Sequence, residues 1–192
     1  MANEFYALMG RMRYITRWGL MRNTFSENIA EHSHITAVLA HALALIRRDI
    51  LKLPTPDPDR CAVAALYHDA SEILTGDLPT PIKYYNPGIK DAYKQVEHIA
   101  GQRLLAMLPE ALQRCYAPWV LEEDDEVTPV VKAADKLSAY IKCVEELKAG
   151  NNEFREAAAQ TRKALEEYDL PEVTYFMDIF MGSFSLTLDE LK

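Results

Sequence analysis

The spacing of apolar residues predicts an all-helical protein in which one domain spans residues 1–192. Three observations lead there. No segment alternates apolar and polar residues with the period of two that a half-buried strand requires; apolar residues recur three and four apart instead. These recurrences are bounded by residues that start and stop helices, such as Asp57-Pro58, Thr128-Pro129 and Gly150. No stretch repeats itself, and 192 residues with 49% apolar side chains suffice for one substantial core.

Over residues 4–15, Phe5, Leu8, Met9 and Met12 outline an amphipathic helix with Arg11 and Arg13 on its other side. Gly19 and the lost periodicity of TRWGLMRN mark a loop, which concentrates Arg17, Trp18 and Arg22 in an otherwise acidic chain. The next helix starts between Thr24 and Asn28, with Glu27 or Glu31 as capping-box partner, and runs to about Asp49. Its predicted core stripe is Ile35, Val38, Leu39, Ala42 and Ile46; His32 lies one turn ahead on that stripe, while His34 and His41 fall off it. Residues 53–58 hold three prolines and form a connection. Asp57 and Pro58 then cap and open the helix that organises the chain, which carries AVAALYHDASE and stops at Thr75-Gly76. The segment DLPTPIKYYNPG is too rich in proline to be regular. Helical pattern resumes over residues 89–108 and 110–121, with Pro109 and Pro118 as interruptions, and the acidic residues 122–126 read as a solvated loop. Thr128 and Pro129 begin a strong helix with the stripe Val130, Ala133, Ala134, Leu137, Tyr140, Ile141 and Val144, ending at Gly150. Asn151 or Asn152 caps a polar helix to about Tyr168, and Pro171 opens a last one through Phe180.

On the organising helix Ala62, Ala65, Leu66, Asp69 and Ile73 share one face, so Asp69 stands in line with core residues; His68 and Glu72 fall on the same side. A carboxylate there is costly unless it is paired, hydrogen-bonded or bound to a metal, and an adjacent His and Asp supply the nitrogen and oxygen that a divalent transition metal accepts. A His-Asp dipeptide arises by chance about 0.3 times in a chain of this composition, so the pair needs support. Support comes from the inward His32 and from Asp135, whose helical neighbours Val131, Ser138 and Ala139 cannot pair its charge. Two imidazoles and two carboxylates suit manganese, iron, cobalt, nickel or zinc, with positions left for water and substrate. Arg17 is suited to grip a phosphate at two points and Trp18 to pack against a ring, while the stiff loop with Asp77, Leu78, Pro79 and Thr80 can wall a substrate site. Each reading has a plainer alternative: satisfied core histidines, an exposed basic loop with its Trp tucked inward, an ordinary helix connection.

The net charge of −8 argues against a protein that holds a nucleic-acid backbone, though a small anionic substrate needs only a local patch. Cys61, Cys115 and Cys143 are odd in number and embedded in apolar helical patterns, which predicts buried, reduced thiols and a reducing cytoplasm. No basic-apolar leader opens the chain and no apolar run looks long enough to cross a bilayer, so a soluble, cytosolic protein without a membrane partner is expected.

The order His, then His-Asp, then a distant Asp, in the contexts AEHS, YHDASE and KAADKLSAY, resembles the HD-domain metal-dependent phosphohydrolases. The similarity is closer still to the bacterial HD-domain 5′-deoxynucleotidases through RWGLMRN, YHDASEILTGDLPTP and EELKAGNNEF, and it spans essentially the whole chain. This resemblance implies an HD-domain helical bundle with a metal site between helices. By the same resemblance His32, His68, Asp69 and Asp135 bind the ion, Glu72 does acid/base work and Arg17 orients a phosphate. Trp18 presses on the deoxyribose, and Asp77, Leu78, Pro79 and Thr80 complete the nucleoside side. It further implies a homodimeric, cytoplasmic enzyme acting on deoxyribonucleoside 5′-monophosphates with cobalt, or with manganese, zinc, iron, nickel or copper. Gly19 stands where the family pattern has proline, a departure that bears on sugar selection rather than on the chemistry. Two-metal relatives need further histidines between His-Asp and the last Asp; only His98 is there, which favours one ion. The expected reaction is metal-assisted hydrolysis of a phosphomonoester. Another HD phosphohydrolase, acting on a different or signalling nucleotide, is one alternative. A helical binding protein with a vestigial metal site is the other, and the intact Glu72 and the basic loop speak against it.

Overall fold

In the computed structural model, which describes residues 3–83 and 85–191, ten α-helices carry the chain: α1 (Phe5–Met9), α2 (Ile29–Leu45), α3 (Pro58–Tyr67), α4 (Glu72–Thr75), α5 (Thr80–Lys83), α6 (Pro87–Leu105), α7 (Glu110–Val120), α8 (Thr128–Lys148), α9 (Arg155–Glu166) and α10 (Pro171–Ile179). Among the described residues extended pairing is confined to one antiparallel bridge, Thr16 with Asn28.

Sequence signals account for most helix starts. Asn28 caps α2 by accepting from the backbone N–H groups of Ala30 and Glu31, and Glu31 accepts from Asn28 N–H at 3.2 Å, a complete capping box. Asp57 caps α3 by accepting from the backbone N–H groups of Asp59 and Arg60, with Pro58 at the first helical position, and Pro171 opens α10. Beyond α8, Gly150 takes a φ of +85°, the left-handed geometry that glycine adopts without steric cost.

The central layer is α2 packed on α3 and on α8, with α10 closing the same core; Leu43, Ala44, Cys61, Ala65, Ala133, Ala134 and Leu137 meet there. A second cluster joins Phe5 of α1 to Leu104, Leu105 and Val120 of α6 and α7. A third, smaller one sets Trp18 against Cys143, Phe154 and Ala158, between the basic loop and the α8–α9 corner.

Several expectations need correction. The stripe foreseen on α2 holds in part: His32, Leu39 and Ile46 are buried and Ala42 half-buried, but Ile35 and Val38 are exposed, and Ser33, Thr36, Ala37, Ala40 and Ala44 are buried instead. Small residues let α3 and α8 approach, and a helix apolar on nearly every side does not announce which side packs. Leu66 is likewise exposed and Ala62 half-buried on α3, where Cys61, Ala64 and Ala65 face the core. Cys115 is exposed, although Cys61 and Cys143 are buried. Residues 4–15 form α1 and then a separate 3-10 turn, Met12–Tyr14, rather than one helix. Pro118 lies inside α7 near its C-terminal end instead of ending it, leaving the carbonyl four residues earlier without that helical donor, and the loop after Gly76 includes the single turn α5. The run Ile29–Ile50 is, contrary to expectation, 22 helical residues containing an 18-residue window of mean hydropathy 1.3, long and apolar enough to cross a membrane. Its buried face packs on α3 and α8 and carries His32, which makes it the central helix of the fold.

Candidate metal centre

The organising helix is not continuous. α3 ends at Tyr67, and residues 68–71 form a tightened turn with three-residue hydrogen bonds: Ala70 N–H to Tyr67 O at 2.9 Å, then Glu72 N–H to Asp69 O at 3.0 Å. Side chains three apart eclipse in such a turn, which stacks Asp69 and Glu72. The interruption also leaves carbonyls at the end of α3 without helical partners, and His68 Nδ1 donates to one of them, Ala65 O, at 2.7 Å. That bond fixes the tautomer, so the lone pair is on Nε2.

His32, His68 and Asp135 each bring one donor atom into a group whose members all lie within 4.8 Å of one another. His32 Nε2 is 3.0 Å from Asp135 Oδ1 and 3.6 Å from Asp69 Oδ2, while His68 Nε2 is 3.3 Å from Asp69 Oδ2. His68 Nε2 is buried and, despite that proximity, not aligned for a hydrogen bond with any described residue. His32 is fully buried; Ser138 Oγ lies 3.1 Å from its Nδ1 and Thr36 Oγ1 lies 3.4 Å from its Nε2. With Nδ1–H donated to Ser138, Nε2 of His32 also offers a lone pair. Two imidazole lone pairs beside two carboxylates repel one another unless a cation lies among them. Burial pushes His68 towards its neutral form, but Asp69 and Asp135 outweigh it and hold the ring, as an imidazolium, at about 10; the proton is then the cation on Nε2, and a divalent ion bound there replaces it. Burial likewise opposes the ionisation of Asp69 and Asp135. The positive charges of His68 and Arg17, and for Asp135 the 3.0 Å contact with the His32 ring, nevertheless keep both carboxyls well below their usual range. The donor set thus fits a divalent ion of borderline softness.

Glu72 stands apart electrostatically. Its residue is 6% exposed, its Oε2 is buried with no hydrogen-bond partner among the described residues, and burial, reinforced by the charges of Asp69 and Asp77, pushes it up to about 9. It is a carboxylic acid at neutral pH beside ionised aspartates, the separation of environments that lets two carboxyls take different roles.

Arg17 reaches the centre from the basic loop. Its Nη1 donates to Asp69 Oδ2 at 3.2 Å and its Nε to Glu27 Oε2 at 3.1 Å. Trp18 does not touch the cluster directly. It donates from Nε1 to Glu27 Oε2 at 2.9 Å and packs on Phe154 with ring centroids 5.3 Å apart. Its backbone is left-handed, φ +60°, a geometry that costs a bulky residue on the order of 1 to 3 kcal/mol and that surrounding contacts must offset. Gly19 occupies the first inner position of the turn closed by Met21 N–H to Trp18 O at 2.9 Å, and open space surrounds it. Asp77 follows Gly76, whose φ is +75° and whose carbonyl accepts from Tyr93 Oη at 2.9 Å. Burial raises the Asp77 carboxyl, with Arg17 opposing. Among the described residues no hydrogen bond or ion pair links Leu78, Pro79 or Thr80 to the cluster; Leu78 and Pro79 lead into α5 and Thr80 opens it. Tyr84 of the same loop lies outside the described residues. His34, His41 and His98 are away from the centre: His41 lies 3.5 Å from Asp59, and His98 bonds Gln102.

Three contributors escaped the sequence. Ser138 was visible only as a neighbour of Asp135, Thr36 is four residues after His32, and Glu27 carries no local signal beyond an unused capping register.

The chain matches the family model described as 5′-deoxynucleotidase YfbR-like over residues 4–184. It is 50% identical over 192 residues to a 5′-deoxynucleotidase of Erwinia tasmaniensis, covering 99% of this chain and 96% of the other. A Photobacterium profundum 5′-deoxynucleotidase is 50% identical over 194 residues, covering 99% and 98%. Among solved structures, an HD-domain phosphohydrolase from Listeria innocua superposes with a TM-score of 0.83 at 21% identity, covering 94% of this chain and 88% of that one. The cyanophage S-2L HD phosphohydrolase DatZ, solved with dA and one catalytic zinc ion, gives 0.64 at 21% identity, covering 92% and 96%. At these identities the structures establish a common HD-domain fold. The family-model match and the near full-length matches at 50% identity to named enzymes show that the chain belongs to the YfbR-like 5′-deoxynucleotidase family.

Proposed function

We propose that the protein hydrolyses deoxyribonucleoside 5′-monophosphates to deoxynucleoside and phosphate, with one divalent ion held by His32, His68, Asp69 and Asp135. The observation that carries the reading is that Arg17 and His68 converge on a single oxygen, Asp69 Oδ2, at 3.2 and 3.3 Å. A phosphate gripped by Arg17 therefore lies against the metal ligands. The relatives bear the name of this activity, and DatZ was solved with a deoxynucleoside and zinc.

When bound, the ion supplies polarisation of a phosphate oxygen and a water of lowered pKa. Arg17, with Nε and Nη1 engaged, has Nη2 left to donate to the phosphoryl oxygens and to offset their charge in the transition state. Glu72, protonated at neutral pH, gives a proton to the departing 5′ oxygen and retakes one from the attacking water. Trp18 lies against the sugar. Its only N–H is spent on Glu27, so a 2′-hydroxyl pressed on the ring loses water and gains no partner, a penalty on the order of 1 to 3 kcal/mol. Asp77, with Leu78, Pro79 and Thr80, forms the opposite wall. Cobalt is the proposed ion, from a donor set that also accepts manganese, zinc, iron, nickel and copper. The same proposal includes a cytoplasmic homodimer, supported by family membership and by three cysteines free of disulfides.

The experiment is a phosphate-release screen of deoxy- and ribonucleoside monophosphates with each divalent ion. Turnover of several deoxynucleotides, dependent on one or more of these ions, is expected. Absence of release from every deoxynucleotide with every ion overturns the reading.

A further inference from the structure

Glu27 has no part in the chemistry above, yet one of its oxygens joins the two residues that meet the substrate. Oε2 accepts from Arg17 Nε at 3.1 Å and from Trp18 Nε1 at 2.9 Å, and the carboxylate is 13% exposed. Glu27 is itself fixed by main chain. Its carbonyl accepts Arg17 N–H at 2.9 Å, and Ile29 N–H to Ile15 O at 3.0 Å makes a second rung around the Thr16–Asn28 bridge. Adjacent side chains on extended backbone point to opposite faces. The left-handed φ of Trp18 breaks that alternation and lets two consecutive side chains converge on one acceptor.

We infer that Glu27 is a positioning residue: its side-chain oxygen holds the phosphate grip of Arg17 and the sugar contact of Trp18 at a fixed separation, and discrimination between deoxyribose and ribose depends on it. The inference rests on the proposed nucleotidase function and adds the residue on which its selectivity depends. What matters is the place of the acceptor and not its charge. Arg17 retains Asp69 as an ionic partner, and Oε1 of Glu27 accepts no hydrogen bond among the described residues. A glutamine oxygen has lone pairs for both donors; an aspartate keeps the charge but is one methylene too short to reach both.

The test compares Glu27→Gln, Glu27→Asp and Glu27→Ala with the parent protein in kcat and KM on dAMP and AMP. The expected result is a fall of about tenfold or more in the dAMP-to-AMP ratio of kcat/KM for Glu27→Ala and Glu27→Asp, carried by KM, with Glu27→Gln restoring the ratio to within about threefold. Retention of the parent ratio by Glu27→Ala overturns the inference, as does the reverse order, with Asp active and Gln impaired, which assigns the role to charge. A second readout needs no activity. The chain has two tryptophans, and the indole N–H resonance of Trp18, assigned with Trp119→Phe, moves upfield in Glu27→Ala and stays in Glu27→Gln. Should the parent release no phosphate from either nucleotide, the nucleotidase reading fails; an unmoved indole resonance removes the Glu27 contact itself.

Discussion

Replacing Glu146 with glutamine tests how the loop that carries Arg17 and Trp18 is held. Glu146 lies on α8, fully buried, and accepts from Lys142 Nζ, from Thr24 N–H and Oγ1, and from Asn151 Nδ2. Lys142, itself buried, also donates to Phe25 O at 2.7 Å and lies 3.3 Å from the centroid of the Phe25 ring. One buried ion pair therefore fastens residues 24–25 to the α8–α9 corner, two residues from Glu27. Burial works against the charged form of Glu146, but the bonds from Lys142, Thr24 and Asn151 prevail and hold the carboxyl at about 2. Against an unfolded value of about 4.3, this depression is worth roughly 3 kcal/mol of stability. The folded pKa is the lower one, so the contribution is complete above about pH 4.3 and is lost as the pH falls towards 2. Removing one charge of a buried pair costs roughly 3 to 5 kcal/mol, in agreement, and in a chain of this size lowers Tm on the order of 10 °C. Urea unfolding of the parent and of Glu146→Gln from pH 7 to 2.5 provides the assay. The two should differ by about 3 kcal/mol at pH 7, and the difference should shrink below about pH 4.3 to roughly 1 kcal/mol at pH 2.5. Parallel stability curves across that range would refute the account, because the variant lacks the group held to titrate.

The metal centre yields the other expectations. Asp69→Ala should lose both bound metal and activity while keeping its helical circular dichroism, since a single ligand carries several kcal/mol of metal affinity; elemental analysis showing full occupancy contradicts the assignment. Glu72→Ala should retain metal and nucleotide binding and lose about two to four orders of magnitude in turnover, so a rate within threefold of the parent excludes Glu72 from proton transfer. Ser138→Ala removes the partner 3.1 Å from His32 Nδ1 and should weaken metal affinity by roughly 10- to 100-fold in a chelator competition. An unchanged affinity would mean that packing alone orients the ring. Trp18→Ala should lower the deoxy-to-ribo ratio of kcat/KM by about tenfold; a lower Tm with an unchanged ratio makes Trp18 a packing residue of the Phe154 cluster.

The sequence alone determined where helices begin, because caps are local chemistry: Asn28 with Glu31, Asp57 with Pro58 and Pro171 act within a turn of their own position. It also singled out His32, His68, Asp69 and Asp135, since an ionisable group on a core-facing position needs a partner wherever the partner comes from. Tertiary structure decided what those partners are. Asp135 finds His32 across the α2–α8 contact, 103 positions away in the numbering, and no helical periodicity records such a pairing. The buried face of α2 was likewise undetermined, because Ile35 and Val38 are as apolar as the alanines that pack. Close approach by α3 and α8 selects small volume, a property of the neighbours and not of the helix. The break after Tyr67 and the left-handed Trp18 belong to the same class. Both are local geometries that unassisted propensity disfavours, and that of Trp18 persists through contacts with Glu27 and with Phe154, the latter 136 positions away in the numbering.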